Sequence, residues 1–238
     1  MMTLVPSNLL EKIEQSKAII AEALENYPKT AVACSFGKDS MVVLALAREV
    51  KPDIPVFSVL TPMKPPETFE FKDRLVKDWN LNLTVYMAEE APIEGLWKTD
   101  PDHCCDIFKV QPTLRALEGL DAWITGLRRT EGRTRTDYEP FEPCKGTMKV
   151  NPILDWTEVD IWRYIAIFNV PVNPAYRKGY RSLGCAPCTV LVSDDETERA
   201  GRWLGTSKCG GECGIHTMHK KGNGGKIEPR SEIWGTTG

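Results

Sequence analysis

The stretch Ala31-Val32-Ala33-Cys34-Ser35-Phe36-Gly37-Lys38-Asp39-Ser40-Met41 decides how this chain folds. An apolar run ending at Cys34 passes through a short turn containing Gly37 and enters a helical pattern extending from Ser40 to Val50. A strand that feeds a helix through such a turn puts free amide N–H groups and the positive end of the helix dipole at the carboxyl end of the strand. The natural occupant there is an anion, phosphate above all. A βα turn can also carry Ser and Gly for packing alone, so the rest of the chain has to support the reading.

It does so by repetition. Apolar runs at Val56–Leu60, Leu83–Met87 and Ala122–Gly126 alternate with helical patterns at Glu67–Trp79 and near Lys109–Leu117. Strands that alternate with helices predict an α/β protein with a mostly parallel twisted sheet and helices on both faces. Leu9, Ile13, Ile20 and Leu24 fall at helical spacing between Ser7 and Asn26 and predict an amphipathic helix before the first strand. Asp155 and Glu158, three apart before Ile161, Tyr164, Ile165 and Phe168, read as a capping box opening another helix, with Asn173-Pro174 as its end. Beyond Gly179 the composition turns to Gly, Cys and Lys. We therefore expect a nucleotide-binding domain over residues 1–190 and a flexible, mobile C-terminal tail over 191–238.

Composition narrows the function classes. With 238 residues, 42% hydrophobic and 26% charged, the chain can bury one sizeable core. A net charge of -3 gives no footprint for nucleic acid, though a local basic pocket for an anionic metabolite fits it. The start Met1-Met2-Thr3-Leu4-Val5-Pro6 lacks a secretory pattern, and no run approaches the ~18 apolar residues of a membrane span. A cytoplasmic protein with no membrane partner is expected. There the eight cysteines would stay reduced, so their clustering speaks for metal ligation or thiol chemistry.

Four of them stand as two pairs, Cys104-Cys105 and Cys185-Ala186-Pro187-Cys188. Two thiolates of a Cys-x-x-Cys reach one centre from a single turn, and a second pair completes a soft four-sulfur set suited to iron–sulfur or to zinc. Adjacent side chains diverge unless the backbone bends, which favours a bulky [4Fe-4S] cluster offering a separate iron to each sulfur over a single ion. Burial as plain core residues, or a disulfide, is the alternative. A further thiol stands in Glu212-Cys213-Gly214-Ile215-His216. Lys208, His216, His219 and Lys220 surround it in sequence, a setting that lowers a thiol pKa and makes a nucleophile. An incidental cysteine or an extra ligand is equally open on spacing alone.

The residues Ser35 to Ser40 resemble the PP-loop nucleotide family, the adenine nucleotide alpha-hydrolase-like fold, with Phe36 in place of the first Gly of Ser-Gly-Gly-Lys-Asp-Ser. Over about residues 30 to 218 the chain resembles the assimilatory sulfonucleotide reductases, which act on adenylyl sulfate (APS) or phosphoadenylyl sulfate (PAPS). The likeness is carried by Cys104-Cys105 with Lys109, Trp123-Ile124-Thr125-Gly126-Leu127-Arg128-Arg129, Asn151-Pro152-Ile153-Leu154-Asp155-Trp156, Gly184-Cys185-Ala186-Pro187-Cys188-Thr189 and the Glu-Cys-Gly-Ile-His motif. The resemblance implies a [4Fe-4S] cluster on Cys104, Cys105, Cys185 and Cys188. It implies attack by Cys213 on the sulfate sulfur, giving an S-sulfocysteine and AMP or adenosine bisphosphate, then release of sulfite by thioredoxin or a glutaredoxin-like reductant. Substrate would be held by Ser35, Phe36, Gly37, Lys38, Asp39, Ser40, Thr61, Lys109, Gly126, Arg128, Arg129, Arg199, Arg202 and His216. Cluster-bearing relatives mostly take the unphosphorylated APS. A homo-oligomer is compatible with all of this.

Three departures stand out. Leu60 and Pro62 replace an Asp and a Gly of the family's Leu-Asp-Thr-Gly, Cys209 lies outside its pattern, and no thioredoxin-like domain follows the motif. Lys38-Asp39-Ser40 looks more like the ATP-cleaving branch, so a sulfate adenylyltransferase subunit or a tRNA-thiolating enzyme is the rival enzyme reading. A non-enzymatic iron–sulfur module is the rival from another class.

Overall fold

The computed structural model describes residues 5–132, 135–209, 211, 212 and 214–217. In chain order the elements are α1 (Ser7–Asn26), β1 (Thr30–Ala33), α2 (Lys38–Val50), β2 (Val56–Val59), α3 (Pro66–Trp79), β3 (Leu83–Tyr86), α4 (Leu96–Thr99), α5 (Pro101–Cys105), a π-helical turn (Asp106–Val110), α6 (Gln111–Leu117), β4 (Ala122–Ile124), β5 (Phe141–Cys144), β6 (Thr147–Val150), α7 (Glu158–Phe168) and α8 (Gly214–Thr217).

The six strands form one sheet in the order β3-β2-β1-β4-β6-β5. All neighbours are parallel except the β5–β6 pair at one edge. Side chains alternate across it as the two-residue period of a strand requires. Val32, Val56, Ala122 and Ile124 face a core shared with α1, α2, α3 and α7. Ala31, Phe57 and Trp123 face the other way, against Ala116 and Leu117 of α6. Both faces are therefore covered, and the α/β expectation holds.

Local chemistry sets the element ends. Pro66 opens α3 with its φ already helical, and Asn80 closes it in the left-handed conformation at φ 47°. The capping box of α7 differs from the one expected: Thr157 is the cap, its hydroxyl accepting from the Asp160 amide while Asp160 accepts from the Thr157 amide. Asp155 and Glu158 instead pair with Arg129 and Arg181. The helix also stops earlier than Asn173-Pro174, at a left-handed Asn169. The β5–β6 hairpin was not foreseen. Its turn is Lys145-Gly146, both at positive φ, and Lys is an uncommon residue in that conformation, so the turn signal was weak.

Chain direction reverses between β1 and β4. From β1 the chain steps outward to β2 and β3, then returns to the opposite side of β1 as β4. Such a switch point leaves a crevice outside the carboxyl ends of the two central strands.

Candidate functional site

The crevice is a cleft lined by Cys34, Ser35, Gly37, Asp39 and Ser40 from the end of β1, and by Thr125 and Gly126 from the end of β4. Gly37 caps α2 with extended backbone, φ -86° and ψ 162°, and brings no side chain to cap the first helical N–H groups, of which that of Lys38 goes to the Tyr176 hydroxyl. The Ser40 hydroxyl donates to the Gly37 carbonyl at 2.9 Å and lies 3.3 Å from the Ser35 hydroxyl. Gly126 permits this closeness: a Cβ there would stand 2.9 Å from the Ser40 amide nitrogen. Phe36 turns away. At φ 61° its ring is fully buried and meets Phe71 edge-on.

Lys38 and Arg128 are not open cations. The Lys38 ammonium, 1% exposed, contacts Glu198 at 2.7 Å, Asp39 at 3.2 Å and the Arg181 carbonyl at 3.0 Å. Arg128, also buried, donates to Asp39 at 2.6 Å and to both carboxylate oxygens of Glu198 at 2.7 Å. Arg129 lies outside this group, on Asp155 and the Tyr138 carbonyl. The Lys38 amide donates to the Tyr176 hydroxyl at 2.8 Å.

A second charged group lies across the cleft. Arg135 donates to Glu212 at 2.6 Å and pairs with Glu131, and Arg199 donates to Glu212 at 3.0 Å. Burial opposes ionisation of both carboxyls, yet Arg135 with Arg199 holds Glu212 far below the usual carboxylate range, and Arg135 with Arg128 holds Glu131 at about 2. His216 lines the same cleft. Burial drives its imidazole down to about 3, with Arg135, Lys149 and Arg199 acting the same way against Glu212. Its Nδ1 has no hydrogen-bond partner among the described residues. Cys213, between these two residues, lies outside the described residues, as do His219 and Lys220.

The four paired cysteines come together. Cys104, Cys105, Cys185 and Cys188 are all buried and line a small cavity with Met63, Trp97, Phe108 and Lys109. The chain bends where their adjacency requires it. α5 ends at Cys105 and runs directly into the wider π-helical turn, a local distortion common at functional sites. Burial raises the Cys104 and Cys188 thiols, helped by Cys185 in both. For Cys185 burial is outweighed by Lys109, Lys64, Thr61 and Arg202, and its thiol is held below the usual value. Thr61, expected at the nucleotide, has its hydroxyl 3.2 Å from the Cys185 sulfur instead. Among the described residues, no three His, Cys, Asp or Glu side chains are gathered as a site for a single metal ion.

Lys109 lines both the cysteine cavity and the cleft. Trp203, fully buried between them, has four cations about its ring: Arg202 at 4.6 Å, Lys208 at 5.5 Å, Arg199 at 5.7 Å and Lys109 at 5.8 Å. Gly184 makes room for Arg202, whose guanidinium would overlap a Cβ at that position. Sequence reasoning missed Arg135, Tyr138, Glu198 and Trp203. Glu198 and Trp203 stand next to the two arginines it did single out, and that adjacency was the available signal.

The described part of the segment after residue 190 packs onto the body, with Glu198, Arg202, Trp203, Lys208 and Glu212 all buried. No helix of the described residues is long and apolar enough to cross a membrane.

Comparison with known proteins agrees with this architecture. Residues 29–191 match the phosphoadenosine phosphosulfate reductase domain. The chain is 40% identical to the adenosine 5'-phosphosulfate reductase of Oceanobacillus iheyensis, across 84% of its own length and 87% of the relative's. It is 38% identical to that of Staphylococcus epidermidis, across 85% and 87%. Its fold is that of the crystal structure of phosphoadenylyl-sulfate reductase from Candida auris in a phosphate complex, with a TM-score of 0.66 at 21% identity, covering 79% of this chain and 98% of that one.

Proposed function

The chain belongs to the phosphoadenosine phosphosulfate reductase domain family, and we propose that it reduces adenylyl sulfate to sulfite and AMP in sulfate assimilation, with Cys213 as nucleophile. One observation carries this reading: Ile215 and His216 line the same cleft as the phosphate-loop residues Ser35, Gly37 and Ser40. The segment that carries Cys213 therefore meets the place built for a nucleotide's anionic groups.

The residues divide the work. Ser35, Gly37 and Ser40 take the phosphate on amide N–H groups and hydroxyls at the helix N-terminus. Lys109, Arg199 and Arg202 face the sulfuryl end of the cleft, where guanidinium and ammonium groups stabilise negative charge that grows in the transition state. Lys38, Asp39 and Arg128 serve indirectly, since their charges are spent on one another and on Glu198. The Cys213 thiolate attacks the sulfate sulfur, the bond from sulfur to the bridging phosphate oxygen breaks, and AMP leaves with that electron pair. A thiol of thioredoxin or a glutaredoxin-like dithiol then attacks the Cys213 sulfur and expels sulfite. The second thiol of the pair frees Cys213, so the dithiol becomes a disulfide as sulfate sulfur gains two electrons.

Four buried thiols around one cavity fit a [4Fe-4S] cluster, with Cys104, Cys105, Cys185 and Cys188 as its ligands. When bound, it would supply a fixed charge beside the cleft, the reducing electrons coming from thiols. We read residues 1–190 as the nucleotide-binding unit and 191–238 as the segment that brings in Cys213. The enzyme is placed in the cytoplasm, where reduced dithiol donors are available.

The deciding experiment measures sulfite released from adenylyl sulfate and from its 3'-phosphorylated form with thioredoxin supplied. Faster release from adenylyl sulfate, and its loss in Cys213→Ser, supports the reading. Pyrophosphate release from ATP, or full activity in Cys213→Ser, overturns it.

A further inference from the structure

Position 213 is bracketed. One residue before it, the Glu212 carboxylate is held by Arg135 Nε at 2.6 Å and Arg199 Nη2 at 3.0 Å. Three residues after it, the His216 carbonyl accepts from the Tyr138 hydroxyl at 2.8 Å. Arg135 and Tyr138 come from one connection, residues 125–140, which leaves β4 and returns as β5. Both are essentially inaccessible to solvent, at 1% and 0% exposure.

The loop is itself tied down. Arg135 pairs with Glu131 as well as Glu212, so two carboxylates hold its guanidinium. The Tyr138 ring lies against the Lys149 ammonium at 4.2 Å, and Lys149 is held by Glu142 at 2.9 Å in the β5–β6 hairpin. The hairpin thus holds Tyr138 through Lys149, and Tyr138 holds the backbone of the segment at the His216 carbonyl. Buried charge-assisted bonds of this kind hold geometry strongly, because losing one partner strands the other.

We propose that Arg135 and Tyr138 are positioning residues that hold Glu212 and the His216 carbonyl beside the cleft, and that through these two holds they govern the reaction of Cys213. The proposal rests on the reading of Cys213 as the nucleophile. It predicts that the two anchors govern the rate of the chemical step and leave substrate capture to the phosphate loop. Arg135 and Arg199 both touch Glu212 and both line the cleft, and they differ in exposure, at 1% and 15% of the side chain. The more open Arg199 is the one shared between anchoring the segment and meeting substrate.

The test uses the full-length enzyme with adenylyl sulfate and thioredoxin, comparing Glu212→Gln, Glu212→Asp and Tyr138→Phe with the unmodified chain. Glu212→Gln is expected to lower kcat about tenfold and Tyr138→Phe several-fold, each with KM for adenylyl sulfate within about twofold, and Glu212→Asp is expected to recover part of the loss. The rate at which iodoacetamide alkylates Cys213, followed by peptide mass, should change in the same variants without substrate. Tyr138→Phe removes a single oxygen, so it keeps the proposal open to refutation if Glu212→Gln does not fold. Unchanged kcat and alkylation rate in both variants overturns it, as does a loss confined to KM. A parallel Cys213→Ser measurement separates the two levels: activity surviving that change sinks the nucleophile reading itself, whereas a dead Cys213→Ser beside fully active anchor variants sinks only the anchoring.

Discussion

Arg128 donates from one nitrogen to both carboxylate oxygens of Glu198 at 2.7 Å, joining the end of β4 to a segment 70 residues further along the chain. Asp39 and Lys38 join them beside the β1–α2 turn, and Glu131, 3.9 Å from Arg128, links this set to Arg135. Breaking a buried pair on one side costs far more than the pair is worth against an apolar replacement.

Glu198→Ala should therefore destabilise the fold by about 3–5 kcal/mol, measured by urea unfolding. Lys38→Ala should act mainly on stability as well, because its ammonium is occupied by protein carboxylates. A Lys38→Ala protein of unchanged stability that binds nucleotide more than tenfold more weakly would show that Lys38 serves the ligand directly.

Gly126 sits where the end of β4 passes the first turn of α2. Gly126→Ala should push the two apart, costing about 1–3 kcal/mol of stability through overpacking and weakening adenylyl sulfate binding together. Equilibrium binding and thermal unfolding, measured on one preparation, check both effects.

The four cysteines give a compositional test. Protein purified without oxygen should be brown and hold about four irons per chain. Cys105→Ser or Cys188→Ser should lose the colour and also stability, because the site ties α5 to the loop before residue 190. Zinc in place of iron, or a colourless preparation with full activity, refutes the cluster.

His216 supplies the pH dependence. Its imidazole is held at about 3 in the fold against 6.5 ordinarily, so the folded state favours the neutral ring. The resulting stability is complete above pH 6.5 and falls as pH drops toward 3, by up to about 1.4 kcal/mol per pH unit. Glu212, Arg135, Arg199 and Lys149 face the ring, and Glu212 stays ionised through this range because its own value is lowered. Unfolding free energies at pH 7 and pH 5.5 should differ in the unmodified chain and differ less in His216→Asn.

The sheet and its helices were legible because their signal is local and periodic: α1 was read at Ser7–Asn26, and the strand runs fell within one or two residues of β1 to β4. The β5–β6 hairpin was hidden by Pro143 inside a strand and Lys145 at positive φ, both against ordinary preference. At the site, the meeting of the two cysteine pairs and the opening of the β1–α2 turn onto a cleft were legible because both follow from spacing. The roles of Lys38, Thr61 and Arg128 were harder to place. Which cation meets a ligand and which meets Glu198 depends on burial partners far away in sequence, and no local pattern encodes that.

The π-helical turn at Asp106–Val110 makes phase, more than distance, the quantity that separates the cysteine pair from α6. A wide turn holds one residue more than a regular one. Winding the same residues as an ordinary α-helix would swing Cys104 and Cys105 by about 100° relative to α6. The direction in which the pair faces therefore depends on the wide turn being kept, more than on the length of the segment.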